Sequence, residues 1–187
     1  MTQRLDLMDL QPSLLQHEAE CINRERSQLV NPLQPIKNLV LKITKNNPII
    51  QSFQLQVTTD LSALAQVLSW FDQLRQPSIP NTIWLGCKTA LAEGFDNAVC
   101  HAHQQLPPET PIDIEVTFFT QSLEIRIWDS GSAFDFEAHL QQLPEEIDET
   151  AESGRGVKIM QQIADYLSYT RTPDNRNCLL IIKSYSS

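Results

Sequence analysis

Long apolar segments are missing from this sequence. No window approaches about 18 uninterrupted apolar residues, the length that a membrane-crossing helix needs. The first residues, from Met1 to Asp6, also lack the basic start and apolar run of a secretory signal peptide. We therefore expect a protein of the cytoplasm that does not cross a membrane.

Basic residues are scarce and scattered. The 187 residues include 14 Lys and Arg against 23 Asp and Glu, and the formal charge at pH 7 is −9. A surface of this sign repels phosphate backbones unless a basic stripe offsets it, and the sequence contains no such stripe. Direct binding of nucleic acid is therefore not expected, whereas basic protein partners are compatible with this charge.

Metal-binding and disulfide patterns are absent too. No C-x-x-C pair and no zinc-like spacing with histidine occurs among the four cysteines, Cys21, Cys87, Cys100 and Cys178. We expect reduced and mostly buried thiols, which suits the cytoplasm. His101 and His103 end a predicted helix, where a cation suits the helix dipole, and we interpret them as structural.

Hydrophobic residues make up 41% of the chain, which is enough for a core. The predicted elements are, in order, a strand at 52–57, helices at 61–74 and 81–103, a hairpin of strands at 112–118 and 123–127, a polar mobile stretch at 136–153, a helix from 154–156 through Leu167, and a strand at 178–185. Hairpin strands with helices placed apart from them indicate an α/β protein, a two-layer α/β sandwich with a mixed sheet.

The first 50 residues are weakly patterned. Leucines spaced for one face of a short helix precede Pro32 and Pro35, which interrupt any helix. We interpret residues 1–50 as an N-terminal extension and residues 51–187 as the domain.

The helix predicted at 81–103 carries an acid and an amide on one face. Glu93 and Asn97 are four positions apart and therefore lie one above the other, opposite the apolar stripe. Their neighbours on that face are mostly small, and Gly86 and Gly94 each cost roughly 1 kcal/mol relative to Ala in a helix interior. A floor for a ligand explains this face, and so does a solvated face without a role. The spacing alone leaves both interpretations open.

Two glycine turns follow along the chain. Asp129 ends a predicted strand just before Gly131, so its carboxylate can accept a hydrogen bond from an exocyclic amine while the glycine lets a ligand approach. The segment Gly154-Arg155-Gly156 begins a helix, where free N–H groups and a partial positive charge suit phosphate. A local turn and a flexible hinge explain the same residues, so neither motif decides the function alone.

Taken together, three segments resemble the motifs of one ATPase superfamily. Residues 91–103, with Asn-Ala-x-x-His-Ala after the glutamate, resemble the asparagine-bearing helix of the GHKL (Bergerat-fold) ATPases. Residues 127–135, Ile-Trp-Asp-Ser-Gly-Ser-Ala-Phe-Asp, resemble their aspartate–glycine motif, and residues 154–159 resemble their second glycine motif. The sequence is most similar to the serine kinases that act as bacterial anti-sigma factors, over about residues 51–187.

This resemblance implies a role for each motif. The implied ATP-binding residues are Asn97 for a magnesium ion, Asp129 and Gly131 for the adenine, and Gly154, Arg155 and Gly156 for the phosphates. Glu93 would be the catalytic general base that takes the proton from a serine of a partner protein, and residues 136–153 would be the lid. Positioning and charge neutralisation suffice for phosphoryl transfer, so one carboxylate and one Mg²⁺ ion are an adequate set.

The implied protein is a cytoplasmic regulator of transcription. It would be a serine/threonine kinase that phosphorylates an anti-anti-sigma (STAS-type) partner and sequesters a sigma factor, and a homodimer is the habit of the family. Three departures from the family are Val157 in place of a usual Leu or Met, Asn177-Cys178 in place of a usual Gly-Thr pair near the adenine, and an acidic lid.

Two other functions remain open at this point. The departures fit a non-catalytic module that binds ATP, or only a protein, and regulates by contact. A fragment of a histidine kinase would need a phosphoacceptor histidine in a dimerising helical hairpin. Residues 1–50 contain only His17, and Pro32 and Pro35 break the run.

Overall fold

The computed structural model of the chain describes residues 47–142 and 154–186. The chain divides into two compact units, Met1–Asn46 and Asn47–Ser187. The first unit lies outside the described residues, as does most of the segment predicted as an N-terminal extension. Residues 143–153, the greater part of the predicted lid, lie outside them as well.

A single antiparallel sheet forms the frame of the described residues. Its spatial order is β1-β2-β3-β5-β4, and all four neighbouring pairs run antiparallel. The strands are β1 at Ile49–Thr58, β2 at Pro111–Phe119, β3 at Ser122–Asp129, β4 at Tyr166–Arg171 and β5 at Asn177–Ser184. The strands predicted at 52–57, 112–118, 123–127 and 178–185 are confirmed as β1, β2, β3 and β5.

Four α-helices occur within residues 47–142 and 154–186. They are α1 at Leu64–Gln73, α2 at Asn81–Asn97, α3 at Phe136–Gln142 and α4 at Arg155–Ile163. A short 3-10 turn at Leu61–Ala63 precedes α1, and Asp60 caps it by accepting a hydrogen bond from the Ser62 N–H at 2.8 Å.

One face of the sheet packs against the helices and forms the core. Because side chains alternate along a strand, each strand contributes every second residue to this face. The buried members on β2 and β3 are Ile112, Ile114, Val116, Phe118, Leu123, Ile125 and Ile127. They pack against Phe71 of α1 and Trp84, Leu91 and Phe95 of α2. Each such side chain stabilises the fold by about 1.5–3 kcal/mol. The predicted two-layer α/β sandwich is confirmed.

Small residues let α2 pack on two sides at once. A Cβ atom at Gly94 would lie 2.7 Å from Ile127 Cδ1 and 2.8 Å from Leu179 Cδ2, so this glycine faces the sheet. A Cβ atom at Gly86 would lie 3.3 Å from Ile163 Cγ2 of α4. Close packing offsets the helix cost of both glycines. The prediction that Gly94 lies opposite the core stripe is wrong, because α2 has a second buried face.

The strand β4 corrects two predictions. The apolar stripe predicted to continue through Leu167 ends with α4 at Ile163, and the next residue, Ala164, is already extended with φ −76° and ψ 141°. From Tyr166 the chain pairs with β5. The hairpin turns at 172–176, where Asn175 adopts a left-handed φ of 65°. A hairpin reverses the chain, so β5 runs antiparallel to β3 and β4, and the predicted mixed sheet is antiparallel in all described pairings.

Two further expectations can be compared with the described residues. No helix within residues 47–142 and 154–186 is long and apolar enough to cross a membrane. Cys87, Cys100 and Cys178 are free thiols, and burial raises the pKa of Cys87 to about 12 and that of Cys178 to about 11. Cys87 and Cys178 are buried as predicted, Cys100 is half-buried, and Cys21 lies outside the described residues.

Candidate functional site

A cavity of about 760 Å³ opens beside the end of α2, the turn after β3 and the start of α4. Its size falls in the range of about 300–1,000 Å³ that is usual for small-molecule sites. Four predicted site residues line it: Asn97, Asp129, Gly131 and Gly154. Its apolar wall comes from the core side of the sheet and from α4, through Ile127, Leu179, Val157 and Met160.

The acid and the amide of α2 meet the second glycine turn. A Cβ atom at Gly156 would lie 2.6 Å from Glu93 Oε2 and 3.7 Å from Asn97 Nδ2. Both side chains therefore lie directly against the backbone of α4 at Gly156. Only a glycine leaves the room for Glu93 there. Asn97 lines the cavity, whereas Glu93, Arg155 and Gly156 lie beside its wall.

The start of α4 presents backbone donors toward the site. Gly154 is its N-cap residue, with a left-handed φ of 84°, which only glycine adopts without strain. Gly154 has no side chain that could cap this helix end, and the first N–H groups of a helix lack partners within the helix. Gly154 lines the cavity, so these donors and the positive end of the helix dipole lie at its edge. Arg155, the first helical residue, is exposed.

The helix α2 changes its winding at the site. After Asn97 it continues as a π-helix at Ala98–Ala102, and the His103 N–H donates to the Ala98 carbonyl at 2.9 Å. The sequence predicts a continuous α-helix through this stretch, so the change is a correction. Single π-turns of this kind are frequent at functional sites, and this one places Ala98, His101 and Ala102 on the cavity wall.

The packing of the turn after β3 requires a glycine at position 131. A Cβ atom there would lie 2.6 Å from the carbonyl oxygen of Ala102 and 2.8 Å from its Cβ. The turn after β3 therefore packs against the π-helix without any gap. The sequence predicts that Gly131 lets a ligand approach, whereas its close contact in the structure is with Ala102.

Asp129 ends the buried row of β3 and is only 2% exposed. Its Oδ1 accepts from the Gly131 N–H and from Asn177 Nδ2, each at 2.8 Å. Its Oδ2 accepts from the hydroxyl of Tyr169 at 2.8 Å. A buried carboxylate needs such partners because its desolvation is costly. Burial, followed by the charge of Asp129, raises the pKa of Tyr169. The hydroxyl therefore stays protonated and donates a hydrogen bond to Asp129 Oδ2.

His103 holds the same turn from the other side and is 1% exposed. Its Nε2 lies 2.7 Å from the Ser130 backbone nitrogen, whose N–H donates to it. Its Nδ1 lies 2.6 Å from the Thr59 hydroxyl, which itself donates to the Thr110 carbonyl at 2.7 Å. Nδ1 must then carry the proton and the ring is neutral. Burial lowers the pKa of His103, in agreement with a neutral ring.

His103 therefore agrees with one prediction and corrects another. Its structural role is confirmed by the network that it joins. The expected cation at the helix end is wrong for this residue, because the Ser130 N–H leaves room for no second proton on the ring.

Aromatic rings form the outer wall. The Phe134 ring is 53% exposed and lies 5.3 Å from the His139 ring and 6.3 Å from the Tyr169 ring, centroid to centroid. All three line the cavity, as does Phe136 at the start of α3. The polar stretch predicted from residue 136 thus begins with a helix.

The site is suited to a metal ion only together with a ligand. Within residues 47–142 and 154–186, no three His, Cys, Asp or Glu side chains are grouped as a metal site. Asn97 offers an amide oxygen in the cavity, next to the start of α4 at Gly156. Mg²⁺ fits such a donor, because it is commonly held by one or two protein oxygens together with substrate phosphates and water.

Three side chains of this site are not identified as site residues by the sequence. Arg171, whose guanidinium donates to the Gly131 carbonyl at 2.6 Å, lies on the unpredicted strand β4. His103 was recognised only as the end of a helix. Phe134 was recognised only as part of a motif, although its position after the glycine turn was a usable signal. Asn177 was singled out in the sequence, but its contact with Asp129, which Tyr169 shares, depends on the pairing of β3, β5 and β4.

An antiparallel sheet with helices on one face, and a cavity beside an Asp–Gly turn and a glycine-led helix, defines the Bergerat class of ATP-binding folds. The histidine kinase-like ATPase domain family matches residues 57–183, which is more than half of the chain. The chain belongs to this family. No curated protein matches it by sequence.

The solved structures that match this chain include proteins of Mycobacterium tuberculosis and Acinetobacter baumannii. The RsbU and RsbW domains of Rv1364c from Mycobacterium tuberculosis match with a TM-score of 0.52 and 10% sequence identity, over 73% of this chain and 34% of that chain. The histidine kinase AdeS of Acinetobacter baumannii matches with a TM-score of 0.41 and 14% identity, over 97% of this chain and 88% of that chain. The first likeness concerns the fold alone, and this chain spans about a third of that chain's length.

Proposed function

We propose that the chain binds Mg-ATP in the cavity and transfers its terminal phosphoryl group to a serine or threonine of a partner protein. The observation that carries the proposal is that Glu93 and Asn97 both lie against Gly156 at the start of α4, beside the cavity that Asn97 lines. Membership in an ATPase family supports ATP as the ligand.

The nucleotide has a proposed contact at each wall. Asp129 and Gly131 take the adenine, Asn97 takes the Mg²⁺ ion, and the backbone at Gly154 takes the phosphates. Arg155 and Gly156 belong to the same helix start, so they are assigned to the phosphates as well. Such a site works by positioning and charge neutralisation, which phosphoryl transfer chiefly requires.

Glu93 is the proposed general base. A carboxylate in hydrogen-bonding reach of the attacking hydroxyl contributes about 10²–10⁴-fold to such a step. Glu93 lies against Gly156 at the start of α4, beside the proposed phosphate contacts. A partner that presents its hydroxyl at this edge places the proton near the carboxylate.

The proposed partner is an anti-anti-sigma protein of the STAS type, and the proposed output is the sequestration of a sigma factor by a homodimer of this chain in the cytoplasm. The motif resemblance supports this assignment, together with a fold shared with a protein whose structure contains an RsbW domain. Residues 1–50 are proposed to be an extension outside the ATPase domain.

Transfer from radiolabelled ATP to candidate STAS-type proteins tests the enzyme. The intact chain is expected to label a partner in the presence of Mg²⁺, and Glu93→Ala is expected to lower the rate by about 10²-fold or more. Asp96→Ala is a matched control, because Asp96 is a neighbouring acid on α2 whose Oδ1 accepts from the Cys100 thiol, whereas Glu93 lies against Gly156. Equal rates for Glu93→Ala and the parent would remove Glu93 from the role of base.

A second function is favoured by one observation: Glu93 is not part of the cavity wall. The domain would then bind Mg-ATP and regulate by contact, without turnover. Calorimetry with Mg-ATP separates the cases. Tight binding without transfer to any partner supports the contact regulator, and the absence of binding contradicts both functions.

A further inference from the structure

Asn177, the first residue of β5, is 1% exposed and spans the base of the turn after β3. Its Nδ2 donates to Asp129 Oδ1 at 2.8 Å, and also to the carbonyl oxygens of Gly131 at 3.1 Å and Ser132 at 3.3 Å. Arg171 donates to Asn177 Oδ1 at 3.0 Å. This bond fixes the orientation of the amide, so the nitrogen faces Asp129.

The contacts of Asp129 leave it little capacity for a ligand. A carboxylate has about four acceptor positions, two on each oxygen. On Oδ1 both are filled, by the Gly131 N–H and by Asn177. On Oδ2 one is filled by the Tyr169 hydroxyl. Among contacts with the described residues, a single acceptor position of Asp129 therefore remains, and it belongs to Oδ2.

Adenine and guanine differ in the number of hydrogen-bond acceptors that they require from a carboxylate. Adenine presents one exocyclic amine beside a ring nitrogen that carries no proton, so a single acceptor satisfies it. Guanine presents a ring N–H and an exocyclic amine side by side, and this pair needs both oxygens of a carboxylate. A guanine at Asp129 would leave one donor facing an oxygen that is already filled, and a buried unpaired donor is costly.

We propose that Asn177 is a specificity-determining residue of this nucleotide site: by filling Asp129 Oδ1 it leaves one acceptor, which accommodates the amine of adenine and rejects the paired donors of guanine. The inference rests on the proposed function, because it concerns the same site and the same ligand class.

The wild-type chain supplies a test that needs no variant. Calorimetry with Mg-ATP and Mg-GTP is expected to give a dissociation constant at least about tenfold lower for ATP, since one unsatisfied donor corresponds to about that factor. Equal affinity for the two nucleotides overturns the inference while the proposed function stands. Binding of neither nucleotide overturns both.

Two variants separate the two oxygens of Asp129. Asn177→Val removes the donor to Oδ1 and suits a buried strand position, and it is expected to narrow the preference for ATP over GTP by about tenfold. Tyr169→Phe removes the donor to Oδ2 and leaves Oδ1 filled, so the preference is expected to stay within about threefold of the wild type.

Unfolding curves of both variants establish that each is folded before its affinities are compared. A preference that is unchanged in Asn177→Val, or narrowed as much in Tyr169→Phe, contradicts the assignment to Asn177. A purely structural role would lower the affinity for both nucleotides by the same factor, and that outcome contradicts it as well.

Discussion

His103 Nε2 accepts a hydrogen bond from the backbone N–H of Ser130 at 2.7 Å, and this bond exists only while the imidazole is neutral. The relationship matters because Ser130 is the residue between Asp129 and Gly131, which both line the cavity. A proton on His103 would face the Ser130 N–H and push the turn out of place. The protonation of a buried ring is thereby linked to the geometry of the proposed adenine contact.

A first prediction concerns pH. An unfolded histidine titrates near 6.5, and burial lowers the pKa of His103 in the folded chain. Between these values the unfolded chain holds a proton that the folded chain does not. The contribution of His103 to stability is therefore complete above pH 6.5 and decreases as the pH falls below it, by at most about 1.4 kcal/mol per pH unit.

Urea unfolding at about pH 7.5 and about pH 5.5 measures this loss. His103→Gln is expected to lose less stability between the two conditions than the wild type. His101→Gln is the matched control, because His101 is exposed and is expected to keep the wild-type dependence. A wild-type slope in His103→Gln would contradict the assignment.

A second prediction concerns Gly156→Ala. The new Cβ atom would meet Glu93 Oε2 at 2.6 Å, and Glu93 can move because the contact is the end of a flexible side chain. Alanine is also favoured over glycine in a helix by roughly 1 kcal/mol. We expect a folded protein of similar or higher stability with phosphoryl transfer lowered by about tenfold or more, since the proposed base is displaced.

Thermal unfolding and single-turnover transfer measure the two effects of Gly156→Ala separately. The proposed catalytic geometry would be contradicted by a variant that transfers phosphate at the parent's rate. Gly86→Ala is the control that is expected to retain transfer. Gly86 also lies where α2 meets α4, but its Cβ atom would contact Ile163 and not Glu93.

A third prediction compares the two glycines of α2. At Gly94 a Cβ atom would press on Ile127 and Leu179 at 2.7 and 2.8 Å, so Gly94→Ala overpacks the core at a cost of about 1–3 kcal/mol. The gain in helix propensity, roughly 1 kcal/mol, offsets part of this. At Gly86 the nearest contact is 3.3 Å from a methyl group, so Gly86→Ala is expected to be close to neutral. Urea unfolding of the two variants should rank Gly94→Ala as the less stable.

A fourth prediction concerns Asp129→Asn. The amide keeps the shape of the carboxylate, but its NH₂ group would face one of three donors: the Gly131 N–H, Asn177 Nδ2 or the Tyr169 hydroxyl. We expect a loss of about 1–3 kcal/mol in the free energy of unfolding. Mg-ATP should no longer raise the melting temperature, whereas it raises that of the wild type if the proposed function holds. Protection of the variant equal to that of the wild type would disprove the adenine contact.

Local sequence patterns predicted most strands and two helices of the described fold. Apolar residues at strand and helix periods predicted β1, β2, β3 and β5 as well as α1 and α2, because those periods already state which side chains share a face. They failed at β4. There, Leu167 continues the helical stripe of Val157, Met160 and Ile163, and only pairing with β5 makes the chain extended.

Part of the site was likewise predictable from the sequence, and part was not. The motifs with Glu93, Asn97, Asp129 and the glycine turns were visible as residue types at recognisable spacings. The surroundings of these motifs were not visible in the sequence. His103, Arg171 and Asn177 contact the turn at Asp129 from separate elements of the fold. No spacing along the chain encodes such contacts.

The sequence by itself therefore determined the set of chemical groups and the elements that carry them, since both depend on residues close together in the chain. The tertiary structure alone decided that Gly94 faces the sheet, that β5 runs antiparallel to β3 and that Asn177 saturates one oxygen of Asp129. These outcomes depend on contacts between distant residues, which form only when the sheet and the helices pack together.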